Sequence, residues 1–177
     1  MTVKDFLSII FEDAKGWLCL ATIDRMNKKN FTQEFFLYPK RRTKALNFIR
    51  RSNTFGMDIY FCPTLLSEPS RKKEYVLPSR VLYADLDECH PRHLGRYGEP
   101  KPNLVVRSSS NRWQAYWFLD SLIEPTRLEE LNKRIAVGYR DLGVDQGGWD
   151  LTQLLRIPTF NWKRVKLNGT LENPHSA

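Results

Sequence analysis

Hydrophobic and polar positions change period several times along the chain, and each change marks an element. Val3, Leu7, Ile10 and Ala14 recur at helical spacing, and Thr2 with Asp5 forms a capping-box pattern. Residues 2 to 14 are therefore predicted to be an amphipathic helix packed on a sheet. GWLCLATI (16–23) and TQEFFLY (32–38) are aromatic and aliphatic, and the polar DRMNKKN divides them, which predicts two strands joined by a turn or loop. Residues 43–52 read as a second helix. MDIYFC (57–62) and VLYADLD (81–87) read as strands, with the polar, basic LSEPSRKKEYVLPSR between them predicted to be a mobile loop. NLVVRS (103–108) and WQAYWFL (113–119) add two more. Thr126 with Glu129, followed by a face of Leu128, Leu131 and Ile135, predicts a capped helix to about Tyr139. The sum is a mixed α+β fold.

Composition narrows this picture. A chain of 177 residues that is 41% hydrophobic can bury one sizeable core. There is no internal repeat and no low-complexity tract, and LNGTLENPHSA at the end reads as a tail or linker. The apolar stretch near the start is too short and too charged for a signal peptide or a spanning helix, so the expectation is a soluble cytoplasmic protein without a membrane partner. Cys19, Cys62 and Cys89 are odd in number and far apart, which fits buried thiols and neither a disulfide framework nor a zinc site. HPRH (90–93) beside Cys89 lacks the partner motif a metal cluster needs. The net charge of +8 favours a polyanionic partner, nucleic acid before anionic membrane.

The candidate chemistry begins at Asp85 and Asp87, which end an apolar strand one residue apart. Alternation puts both on one face, with Leu82, Ala84 and Leu86 opposite. Two close carboxylates repel unless a cation lies between them, and Mg²⁺ takes such oxygen ligands together with substrate phosphates. The alternative is a strand end that is simply solvated.

YADLDE, VVRSSSNRWQAYWFLD and DQGGWDLTQLLRIPTFNWK together resemble, in order and character, the three motifs of the archaeo-eukaryotic primase superfamily, in particular the primase-polymerase domains of plasmid, phage and mobile-element replication proteins. The resemblance covers about residues 57–166, the catalytic half. Residues 1–56 match in general layout, as an N-terminal helix and sheet layer of the same domain, and 167–177 are the tail. It implies a mainly antiparallel, RRM-like catalytic sheet and Mg²⁺ or Mn²⁺ in a two-metal site. It implies Asp85, Asp87 and Asp145 as catalytic metal ligands, and Ser108, Gln114, Arg156, Asn161 and Lys163 as contacts to the incoming NTP or dNTP. Gln114 stands where the family has histidine, and a glycine usual after Pro158 is missing before Thr159. Asp145 is preferred to Asp150 as the third ligand, because Asp150 precedes LTQLLR as a helix N-cap.

On this reading two metals clamp the attacking and leaving oxygens, Arg156 grips phosphate in a fork and Lys163 adds a point charge. Arg41, Arg42, Lys44, Arg50 and Arg51 near the second helix, and Arg71, Lys72 and Lys73 in the loop, suit a DNA template or primer; the alternative for the helix is a solvated face. Trp113, Tyr116 and Trp117 are either core residues or stacking surfaces. The expected activity is template-directed nucleotidyl transfer, with a helicase as a further partner. A catalytically weakened replication initiator or single-strand-binding module is the alternative, and a metal-dependent nuclease would leave RIPTFNWK without a role.

Overall fold

The computed structural model describes residues 1–24, 30–96, 98–109 and 112–159. Among them are three α-helices and seven strands, with α1 at Val3–Phe11, β1 at Gly16–Ile23, β2 at Phe31–Tyr38, α2 at Arg42–Thr54 and β3 at Asp58–Phe61. β4 at Ser79–Leu86, β5 at Leu104–Ser109, β6 at Arg112–Ile123, α3 at Pro125–Gly138 and a two-residue β7 at Leu155–Arg156 complete the order. The strands form two sheets, β2-β1-β3-β7 and β4-β6-β5, and every pairing between them is antiparallel. The expected α+β class is the one observed. β3 and β7 complete the sheet that β1 and β2 begin, so the first 56 residues and the catalytic half share one sheet.

The helix at the start forms because its N-terminal donors are met locally. The Thr2 hydroxyl accepts the Asp5 N–H and the Asp5 carboxylate accepts the Thr2 N–H. Its Phe6, Leu7, Ile10 and Phe11 are buried. Phe6 lies edge-on to Phe61 of β3 at 5.2 Å and to Tyr116 of β6 at 5.9 Å, so one ring joins the two sheets. β4 is buried on both faces. Val81 and Tyr83 enter this core, whereas Leu82, Ala84 and Leu86 pack with Ala115, Trp117 and the Leu128 and Ala136 side of α3.

Three expectations are corrected. The helix predicted to start on a Thr126–Glu129 capping box starts two residues earlier: Glu124 is the cap, without a side-chain hydrogen bond, and Pro125 takes the first position, where its fixed φ suits a helix and its missing N–H costs nothing. Glu129 pairs with Lys73 instead. The loop predicted to be mobile is docked. Leu66 bridges Trp17 and Val76, and the Leu77 N–H bonds the Leu65 carbonyl at 2.9 Å, because Leu65, Leu66 and Val76 are buried anchors at the two ends of a polar stretch. Finally, Asp150 caps no helix. Its Oδ1 accepts the Thr152 N–H at 2.7 Å and the Thr152 hydroxyl at 2.6 Å, closing a turn, since the chain must extend into β7 by Leu155. All three cysteines are free and buried, as expected, and burial pushes the Cys19 thiol up to about 12.

Candidate active-site cleft

The acidic pair sits where β4 runs out. Asp85 lies opposite Gln114 of β6, and Gln114 lies opposite Val106 of β5, so these three share a face. Asp145 reaches the same place by a different route. β4 is the free edge of its sheet, and the segment after α3 runs along that edge: the Asp145 N–H donates to the Asp85 carbonyl at 2.9 Å and the Glu88 N–H to the Gly143 carbonyl at 3.1 Å. Leu142 ends a 3₁₀ turn at Arg140–Leu142 and Gly143 is left-handed, so the segment meets the edge through Gly143 and Asp145 and not as an extended run from Leu142. Gly148 closes over it, and a Cβ there would stand 3.2 Å from the Asp145 Oδ2 and 3.5 Å from the Asp85 Cβ, so a side chain would press on the Asp145 carboxylate.

Electrostatics follow from this grouping. Burial first, then the charges of Asp87 and Asp145, push the Asp85 carboxyl up to about 7, against the opposing pull of Arg112 and Arg156. Among the described residues no three His, Cys, Asp or Glu side chains stand as ready-made metal ligands. Asp87 is turned to Arg112, whose Nη1 donates to its Oδ1 at 2.8 Å, and the Asp145 Oδ1 accepts the Gly147 N–H at 2.9 Å. The donor chemistry nevertheless fits a hard divalent cation: Asp85 has two further carboxylates, Asp87 and Asp145, close enough to act on its charge, with Arg112 and Arg156 opposing them.

Across the cleft stands Arg156. Its Nη1 donates to Asp58 Oδ1 and its Nη2 to the Tyr60 hydroxyl, both at 2.7 Å, and its guanidinium lies 4.8 Å from the centre of the Tyr60 ring. Asp58 is 3% exposed, so the ion pair is sheltered from water. The Gln114 side chain is 2% exposed. With its amide turned so that donors meet acceptors, Gln114 accepts the Arg156 N–H at 2.8 Å and donates to the Arg156 carbonyl at 3.0 Å and the Tyr116 hydroxyl at 3.2 Å. It therefore ties β6 to β7, one sheet to the other. Tyr60, Asp85, Asp87, Ser108, Ser109, Arg112, Gln114, Leu154 and Arg156 line a cleft of about 330 Å³, within the range of small-ligand sites.

The structure thus brings together Asp85, Asp87, Asp145, Ser108, Gln114 and Arg156. Asn161 and Lys163 lie outside the described residues. Asp150 points elsewhere, and although burial works against it, the bonds from Thr152 and the charges of Lys73 and Arg71 hold its carboxyl below the usual range. The basic loop residues meet protein partners: Arg71 Nη1 donates to the Thr152 carbonyl at 2.6 Å, Lys72 stands 3.6 Å from Glu74, and Lys73 pairs with Glu129. Arg41 is exposed at the start of α2, a helix with no acid in it, and Arg42 donates to the Ser8 hydroxyl at 3.3 Å. Sequence reasoning missed Asp58, Tyr60 and Arg112. The signal for the first two was present, since an acid alternating with a tyrosine inside the apolar MDIYFC is out of place unless it meets a cation.

No family model and no curated protein matches the sequence. Among solved structures, the archaeo-eukaryotic primase domain of the cyanophage S-2L primase-polymerase superposes with a TM-score of 0.64 at 12% identity, over 86% of this chain and 78% of that one. The catalytic domain of primase RepB′, in a complex with initiator DNA, gives 0.62 at 16% identity over 92% and 78%. Primase RepB′ gives 0.64 at 15% identity over 93% of this chain and 52% of that chain. The fold is that of a primase-polymerase catalytic domain. No helix among the described residues is long and apolar enough to cross a membrane.

Proposed function

We propose that this chain is a DNA-directed primase-polymerase that transfers nucleotidyl groups from NTP or dNTP along a template, in replication of a plasmid, phage or mobile element. The observation that supports the reading is the cleft itself, lined by Asp85, Asp87 and a sheltered Arg156, with Asp145 held beside Asp85 by a backbone hydrogen bond, in a fold shared with primase-polymerases. Asp85, Asp87 and Asp145 would hold Mg²⁺ or Mn²⁺, which when bound supplies the positive charge that activates a 3′ hydroxyl and offsets a leaving pyrophosphate. The chain's own groups do the positioning. Arg156 keeps its guanidinium planar against Tyr60 and, with two contacts already made to Asp58 and Tyr60, presents its remaining N–H groups to a triphosphate. Ser108 lines the same cleft and offers a hydroxyl donor. Arg112 is placed to leave Asp87 for phosphate when a metal takes the carboxylate. The resemblance of RIPTFNWK assigns Asn161 and Lys163 to the nucleotide as well, and the template's first contacts fall to Arg41, exposed at the start of α2, with Arg42 beside it held to Ser8, because Arg71, Lys72 and Lys73 pair with a carbonyl or with acids within the protein.

The second reading, a weakened initiator or single-strand-binding module, draws support from Gln114, whose amide is engaged with Arg156 and carries no charge to a triphosphate. Incorporation of labelled nucleotide on a primed DNA template with Mg²⁺ or Mn²⁺ separates the two. The wild type is expected to extend the primer. Asp85→Ala, Asp87→Ala and Asp145→Asn are expected to lose at least about a hundredfold, and Asp150→Asn to keep most activity. A wild type that binds DNA and never incorporates nucleotide belongs to the second reading. An inactive Asp150→Asn beside an active Asp145→Asn would mean that the third ligand is misplaced.

A further inference from the structure

HPRH (90–93) has no part in the cleft. The chain folds it into a 3₁₀ turn at Pro91–His93, beside the end of the three-stranded sheet. There the His90 ring lies 5.4 Å from the Trp113 ring, and the Arg107 guanidinium lies 5.5 Å from the same ring. The Arg92 N–H donates to His90 Nδ1 at 3.2 Å, Arg92 Nε to His93 Nε2 at 3.3 Å, and Arg96 Nε to the Arg92 carbonyl at 3.2 Å. These contacts join three arginines and two histidines into one patch around a tryptophan. His90, Arg92 and Arg96 are exposed, and Trp113 and Arg107 are half-buried. Among the described residues, none of the three arginines is in an ion pair. Two acids lie near the patch along the chain: Glu88, whose Cβ packs close to Gly143, and Glu99, three residues after Arg96. Positive charge accumulates: partial burial, then Arg96, Arg92 and His90, hold His93 below its usual value.

Position gives the patch its meaning. Leu86, Trp113 and Arg107 are cross-strand neighbours on the face opposite Asp85, Gln114 and Val106. The patch and the cleft are thus the two faces of one end of one sheet, a single residue apart along each strand. A chain of phosphates leaving the cleft around that end would meet guanidiniums spaced along the turn, and its bases would meet the His90 and Trp113 rings, tilted 56° to each other so that each offers its own face. Duplex could use the charges, but its stacked bases could not use the rings.

We propose that this patch docks single-stranded nucleic acid, with Arg92, Arg96 and Arg107 on phosphates and the His90–Trp113 pair as a stacking surface for an unpaired base. The proposal rests on the reading of the chain as a template-directed enzyme, and it adds the surface that holds the template outside the cleft. The test is binding of a labelled oligothymidylate and of a duplex of equal length to the full chain across a salt series, without nucleotide or metal. Replacing Arg92, Arg96 and Arg107 together by glutamine is expected to weaken oligothymidylate binding at least about tenfold near 0.1 M salt and to flatten the slope of log affinity against log salt by about 2. Trp113→Leu is expected to weaken it about tenfold and Trp113→Phe much less. If the triple variant melts early, the exposed single changes Arg92→Gln and Arg96→Gln should each flatten the slope by about 0.7. Unchanged affinity and slope for oligothymidylate, or an equal loss for duplex, would overturn the proposal. Loss of the activity reading shows elsewhere, as a wild type that fails to incorporate nucleotide while patch variants still change single-strand binding.

Discussion

Asp85 is the residue at which stability and function oppose each other. Its carboxyl is pushed up to about 7 by burial and by two neighbouring acids, so in the metal-free protein an ionised Asp85 strains the fold. A folded value above the unfolded one means that the group costs stability as pH rises from about 4 through 7, and costs nothing below that window. Asp85→Asn in metal-free protein at pH 8 is therefore expected to raise stability by about 1–2 kcal/mol, roughly 2–8 °C in melting temperature, while abolishing incorporation. Differential scanning calorimetry checks it; an unchanged or lowered melting temperature speaks against the crowding of the three acids. Gln114 makes a second test at this scale. If it acts through Arg156, then Gln114→Leu and Arg156→Ala should each raise the KM for nucleotide, and the double variant should be no worse than Arg156→Ala. Multiplied effects would mean that Gln114 meets the nucleotide directly. The sequence showed that Gln114 departs from the family's histidine, but not where its amide goes, because the partner is a backbone 42 positions further on, in a strand of two residues.

At the scale of elements, the pattern of the side chains was enough to find α1, β1, β4 and β6, whose burial follows a clear face or a long apolar run, and β2, whose aromatic and aliphatic run pairs with β1 although only Tyr38 of it is buried. What the pattern could not supply was pairing. β7 has two residues and no period, and it exists because β3 and Gln114 hold it. The edge of β4 is likewise completed by groups far along the chain: Asn132 of α3, 1% exposed, accepts the Tyr83 N–H at 3.1 Å, and the Gly143–Asp145 segment continues beyond it. Asn132→Ala leaves that buried N–H without its acceptor, at an expected cost of about 1–3 kcal/mol. Chemical denaturation measures the loss, and hydrogen exchange at the Tyr83 amide should rise with it. A neutral substitution would mean that α3 is not what closes this edge.

For the whole molecule, two sheets joined through Phe6 in the core and Gln114 at the cleft bring Asp85, Asp87 and Arg156 to one cleft with Asp145 next to Asp85, in a chain of net charge +8. The charge draws a polyanion in without choosing it; the choice is made in the cleft. The central claim is that Asp85, Asp87 and Asp145 hold divalent metal against a nucleoside triphosphate gripped by Arg156. Its most direct test is a crystal structure soaked with Mn²⁺ and a non-hydrolysable nucleotide, with the metal identified by anomalous scattering. Anomalous density among the three carboxylates, with triphosphate oxygens within hydrogen-bond reach of the Arg156 guanidinium, is the result predicted. Nucleotide bound away from this cleft, or a cleft that takes neither metal nor triphosphate at saturating concentrations, would contradict it.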